Sequence, residues 1–148
     1  MGGDPLLSAP SDTLGVGDRV ELAFPARGDL VVLARLVTSA ISARAGFDIE
    51  ELEDLRLAVG ELCLLALQGS DRRHGDLRLE FRVSTDSIDI SCTLEGAAPA
   101  LTARTADGLE AEQLSEQILS ALVDEHGREQ QDASARAWLR KRRKGPAA

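Results

Sequence analysis

Between Leu57 and Leu67 the chain reads Leu-Ala-Val-Gly-Glu-Leu-Cys-Leu-Leu-Ala-Leu, and Glu61 is the one charged side chain in the run. A helix that is apolar on nearly all sides has to be walled in by other elements, so this segment is expected at the centre of the fold. The acid sharpens the constraint. An ionised carboxylate taken out of water without a partner costs on the order of several kcal/mol, so Glu61 needs a reason to be there. One reason is geometric: Asp54, Glu61 and Gln68 recur every seven residues and would line up as a thin polar stripe on an otherwise buried helix. The other is a functional site. The segment alone leaves both open.

The chain has 148 residues, enough for one domain with a real core and no need of disulfides or a structural metal. Cys63 and Cys92 are far apart, sit in apolar runs and have no CxxC or metal-ligand spacing. They read as small core side chains in a reducing compartment. No stretch approaches the roughly 18 apolar residues that span a bilayer, and the acidic, Pro- and Ser-containing N-terminus does not read as a signal peptide. A cytoplasmic protein with no membrane partner is expected. The net charge of −8 argues against direct nucleic-acid binding, which needs a positive footprint, and suits a protein partner with a basic face.

Residues 1–17 are rich in Gly, Pro, Ser and Asp without periodicity and are expected to be a disordered tail. A single domain is expected over 18–144, followed by a short C-terminal tail, 145–148. Val20, Leu22 and Phe24 alternate with polar or small residues, which predicts a strand ended by Pro25. Leu30, Leu33, Ala34, Val37 and Ile41 predict a helix that Gly46 terminates. Asp48, with Glu51 three residues on, opens a second helix as an acidic capping box, and that helix runs to about Gln68. The alternation at Leu77, Leu79, Phe81 and Val83 resumes at Ile88, Ile90, Cys92 and Leu94, predicting a hairpin. A loop through Asp107-Gly108 precedes a third helix with Leu114, Ile118, Ala121 and Leu122 on its apolar face. Ala135, Ala137 and Leu139 mark a last strand, with a short strand near 127–131 before it. The resulting fold class is α+β: a two-layer sandwich of a mixed, mostly antiparallel sheet with helices on one face.

Three stretches carry a resemblance: Phe24-Pro25-Ala26-Arg27, Leu33-Ala34-Arg35-Leu36, and Phe47 through Cys63 in the form FDIEELEDLRLAVGELC. Together they resemble the first half of the bacterial anti-sigma-factor serine kinases, members of the histidine-kinase-like (GHKL) ATPase superfamily. The resemblance implies a GHKL-type sandwich, ATP and Mg²⁺ as cofactors of an active member, and a sigma factor and a STAS-domain antagonist as partners. It also implies a homodimer; a structural pseudo-subunit that forms a heterodimer with an active paralogue is a further alternative.

The family motifs are degenerate here. The Glu-x-x-x-Asn motif pairs an activating Glu with a magnesium-binding Asn one helical turn on. Glu61 matches the Glu and is the general-base candidate, but Leu65 stands at the Asn position and offers no oxygen to a hard cation. In the family's Asp-x-Gly-x-Gly, the Asp accepts from the adenine amino group. Leu94 takes that place, Gly96 is retained, and Ala98 replaces the second glycine. Glu95 points to the opposite face of its strand and cannot stand in. The phosphate-binding Gly-x-Gly run aligns with Gln113-Leu114-Ser115-Glu116, where no glycine remains and Glu116 would repel phosphate; Gly108 is a candidate for a displaced remnant.

The expectation is therefore a regulatory binding protein with no cofactor and no metal, its pocket positions Leu65, Leu94, Gly96 and Ala98 vestigial. The alternative is an active serine/threonine kinase that uses ATP and Glu61. The remaining conspicuous residues read blandly. His74 lies in a polar loop, and His126 follows a helix end where an imidazole complements the dipole. The basic run Arg140–Lys144 reads as a solvated tail. Trp138 either covers the sheet or anchors a partner.

Overall fold

The computed structural model describes residues 17–68, 75–96, 106–131 and 134–144. The alternating segment at the start forms β1 (Arg19–Pro25). It is followed by α1 (Val31–Arg44), α2 (Ile49–Leu67), β2 (Asp76–Val83), β3 (Ser87–Glu95), α3 (Ala106–Leu122), β4 (Glu125–Gln131) and β5 (Ser134–Arg142). The strands lie in the order β1-β2-β3-β5-β4, and every pairing among the described residues is antiparallel. The sheet is thus antiparallel throughout rather than mixed. The strand expected near 127–131 is a full partner of β5 that begins at Glu125.

Period-2 patterning puts Leu77, Leu79, Phe81, Ile88, Ile90, Cys92, Leu94, Ala137 and Leu139 on one face of the sheet, all at or near zero exposure. The helices cover that face. As its composition requires, α2 lies in the middle, packed on β3 and β5 with α1 on one side and α3 on the other. Leu55, Ala58, Val59, Leu62, Cys63 and Ala66 point into the core. The helix is not walled in on every side, however: Leu57 and Leu64 lie on its outward face, 59% and 39% exposed.

Counting apolar residues misplaces the buried stripes of the flanking helices. On α1, Val31, Ala34, Thr38, Ile41 and Ser42 are buried while Leu33 is half exposed. Thr38 is tolerated inside because its hydroxyl donates to the Ala34 carbonyl at 2.7 Å. On α3 the inward residues are Glu112, Ser115 and Leu119, whereas Leu114 is 57% exposed and Ala121 faces solvent. Polar partners supplied by other elements decide this face. The helix also starts earlier than expected, so Gly108 lies within it and not in a loop.

The other face of the sheet is a lattice of alternating charge. Arg140 reaches Asp89 at 2.7 Å and Glu125 at 3.6 Å, Arg136 reaches Glu129 at 3.5 Å, and Arg82 pairs with Glu80. The Arg82 guanidinium holds the Glu80 carboxyl below its ordinary value by hydrogen bonding. That contribution is present above the carboxylate range and fades as pH falls through it. Trp138 covers this face by lying flat against Gly127, where a Cβ would stand 2.7 Å from the ring.

The run from Arg140 to Lys144 is not a solvated tail, because β5 carries it to Arg142. Lys141 is buried, and the Arg143 guanidinium donates to the Ala45 carbonyl at 3.0 Å. His126 sits in β4 with Nε2 2.9 Å from the Ser120 hydroxyl. The expectations for residues 1–16, for His74, for Ala98 and for 145–148 lie outside the described residues.

Candidate functional site

The polar stripe of α2 forms one seam with α3 and β5. At its start Asp48 accepts from the Glu51 backbone N–H at 2.8 Å, and the Glu51 carboxylate accepts from the Asp48 N–H at 3.1 Å. This is a closed capping box that satisfies two orphan donors of the helix start. Glu51 is almost fully buried, and its second oxygen accepts from the Lys144 N–H at 2.7 Å, which fastens the segment after β5 to the head of α2.

One turn further along α2, Asp54 lies 3.6 Å from the Lys141 ammonium. Lys141 itself donates to the Leu122 carbonyl at 2.7 Å and so satisfies an orphan acceptor at the end of α3. Two turns on, the Ser115 hydroxyl donates to Glu61 Oε2 at 2.7 Å. Beyond it, Gln68 lines a cleft of about 300 Å³ together with Leu65, Glu116, Arg128, Ala135 and Ala137. Arg128 spans this end of α3, 3.3 Å from Glu112 and 3.9 Å from Glu116. Asp54, Glu61 and Gln68 therefore do face one seam, and Glu61 is half-buried with a hydroxyl partner.

The positions singled out by the family resemblance lie around that seam. Leu65, one turn after Glu61, is 1% exposed. Leu94 is equally buried, with Leu77 and Ala135 as its neighbours across the sheet. Both positions present carbon to the core, and Leu65 also lines the cleft. Gly96 is exposed with φ +78, and a Cβ there would meet only the Gly75 Cα at 3.8 Å. Its backbone conformation, not a close approach, is what asks for glycine. Gln113–Glu116 lies in the interior of α3, which begins at Ala106. Backbone N–H groups inside a helix are spent on the helix's own carbonyls, so this run offers no phosphate cradle of the kind found at a helix start.

Besides Glu112, the sequence reading missed the roles of Ser115, Arg128 and Lys141. Two had signals. Lys141 continues the inward period of Ala137 and Leu139, and Ser115 shares helical spacing with Glu112 and Leu119. Arg128 had none, because its role depends on β4 lying beside α3.

A double-mutant cycle tests the central contact of the seam. Ser115→Ala removes a hydrogen bond to a half-buried carboxylate and is expected to cost about 1–2 kcal/mol in urea unfolding; Glu61→Gln is expected to cost no more than about 1–2 kcal/mol. The double variant should cost less than the sum by about 1 kcal/mol. Strict additivity would mean that the two side chains do not share a bond in solution.

Comparisons with known proteins agree with this architecture. The model of the histidine kinase-like ATPase domain matches residues 24–139. The serine-protein kinase RsbW of Bacillus pumilus is 32% identical over 123 residues, covering 73% of this chain and 76% of that protein. Its namesake in Bacillus subtilis is 28% identical over 121 residues with the same coverage. The Listeria monocytogenes protein of that name is 33% identical over 91 residues, 59% of this chain and 57% of its own.

Proposed function

We propose that this chain, which belongs to the histidine kinase-like ATPase domain family, acts as an anti-sigma-type regulator: it binds a sigma factor or a STAS-domain antagonist and has given up nucleotide chemistry. The observation that carries the reading is the pairing of Glu61 with Ser115 of the chain's own α3, beside a leucine at the neighbouring metal-ligand position. Phosphoryl transfer depends on metal ions and donors aimed at the phosphates. Leu65, Leu94 and the interior of α3 supply neither.

What the helical layer leaves outside supports a binding role. Val32 and Leu36, one turn apart on α1, are 48% and 60% exposed, and Leu57 and Leu64 on α2 are exposed as well. Between the two helices the Arg35 guanidinium lies against Gly60, where a Cβ would stand 2.7 Å from it. Apolar side chains gathered around one cation suit a protein partner better than solvent.

The kinase reading is favoured by Glu61 itself and by the names of the relatives. The two separate in one experiment, using a purified sigma factor and STAS-domain protein from the same genome. Binding should be detected without nucleotide, be unchanged by Mg·ATP, and weaken at least about tenfold in Leu36→Glu. Transfer of labelled phosphate to a serine of the STAS protein by wild type, lost in Glu61→Gln, would establish the kinase instead.

A further inference from the structure

The two cysteines, 29 residues apart in sequence, meet in the core. Cys63 on α2 and Cys92 on β3 place their Sγ atoms 4.0 Å apart, with both side chains fully buried and both thiols free. We propose that this pair is an oxidisable dithiol that fastens α2 to the sheet when a small neutral peroxide enters the core. The sulfurs already point at each other, and a disulfide requires them to come about 2 Å closer. Rotation about the two Cα–Cβ bonds and a slight settling of α2 on β3 supply movement of that kind.

The neighbouring Cys63 sulfur and, after it, burial push the Cys92 thiol well up, so little thiolate exists at neutral pH. That sets the class of oxidant. A bulky, charged disulfide has no route to two sealed sulfurs, whereas hydrogen peroxide is small and uncharged. One thiol, on losing its proton, attacks the peroxide O–O bond to give a sulfenic acid and one water. The second thiol then attacks the sulfenic sulfur, forming the S–S bond and releasing a second water. The two electrons lost by the sulfurs are taken up by the peroxide oxygens. Within α2, Cys63 follows Glu61 by two residues and precedes the exposed Leu64 by one. The cross-link therefore fixes the helix that carries both the Ser115 contact and the outward apolar face. This holds whatever partner that face takes.

The test uses the whole chain, folded and fully reduced, exposed to hydrogen peroxide at pH 7 and at pH 8.5, then unfolded and alkylated. The expected product is a monomer lighter by two hydrogens, with neither cysteine alkylated, reversed by dithiothreitol. It should form faster at the higher pH, and its melting temperature should rise by about 5–10 °C. Cys63→Ala and Cys92→Ala should each lose the product. Both thiols still alkylatable after peroxide, separate oxidation of each to sulfinic acid, or cross-linking only between chains would overturn the proposal. Because the main readout is made on the wild-type chain, a poorly folding variant does not rescue it.

Discussion

Replacing Leu65 by asparagine is expected to cost about 3–4 kcal/mol and to give no nucleotide binding in return. The position is 1% exposed and lies on the core side of α2, so the variant trades buried hydrocarbon for an amide. An amide without full partners in such a place costs about 1–3 kcal/mol by mutational measures, and the lost leucine packing adds to it. Rescue would need more than one metal ligand. Leu94 would still stand where the family resemblance expects an adenine-binding Asp, and Gln113–Glu116 would still be helix interior with Glu116 beside the cleft. Urea unfolding gives the cost. A Leu65→Asn protein as stable as wild type would mean that this side chain is not packed as described.

Lys141→Ala is the second substitution with a large expected effect, about 2–4 kcal/mol. The buried ammonium donates to the Leu122 carbonyl at 2.7 Å and lies 3.6 Å from Asp54. Removing it leaves the last turn of α3 with an unpaired acceptor and takes away the stem that fills the space beneath. Asp54 is about one-third exposed, so water replaces much of what it loses, and its share is no more than about 1 kcal/mol. Lys141→Met should therefore cost distinctly less than alanine, because the stem stays, while Asp54→Asn should be nearly silent. Hydrogen exchange in the last turn of α3 should rise in the alanine variant. Equal costs for alanine and methionine would assign the whole effect to the charge and contradict the packing share.

The fold was largely legible because its strands alternate cleanly and α2 is too apolar to lie anywhere but the middle. The capping box at Asp48 and Glu51 was readable for the same kind of reason, since the chemistry is local and the spacing fixed. The misplacements share a cause. Leu114 looked like core, whereas the buried residue is its neighbour Ser115, admitted because Glu61, 54 residues away, accepts its hydrogen bond. In the same way Glu112 is buried beside Arg128, and Lys141 between Asp54 and the end of α3. Hydrophobic counting is blind to partners that the tertiary fold supplies. It was blind to the Cys63–Cys92 contact too, because neither apolar run hints at which element the other faces.

Thermal unfolding of the wild-type chain with Mg·ATP tests the central claim most directly. A ligand that binds only the native state at 100 times its Kd adds about 2.7 kcal/mol of stability, a shift of several degrees for a domain of this size. With millimolar ATP and Mg²⁺ the melting temperature is expected to stay within error of the nucleotide-free value, and of the value with Mg²⁺ alone. A magnesium-dependent rise with ATP would show that the cleft beside Leu65 still takes nucleotide, and the kinase reading would replace this one.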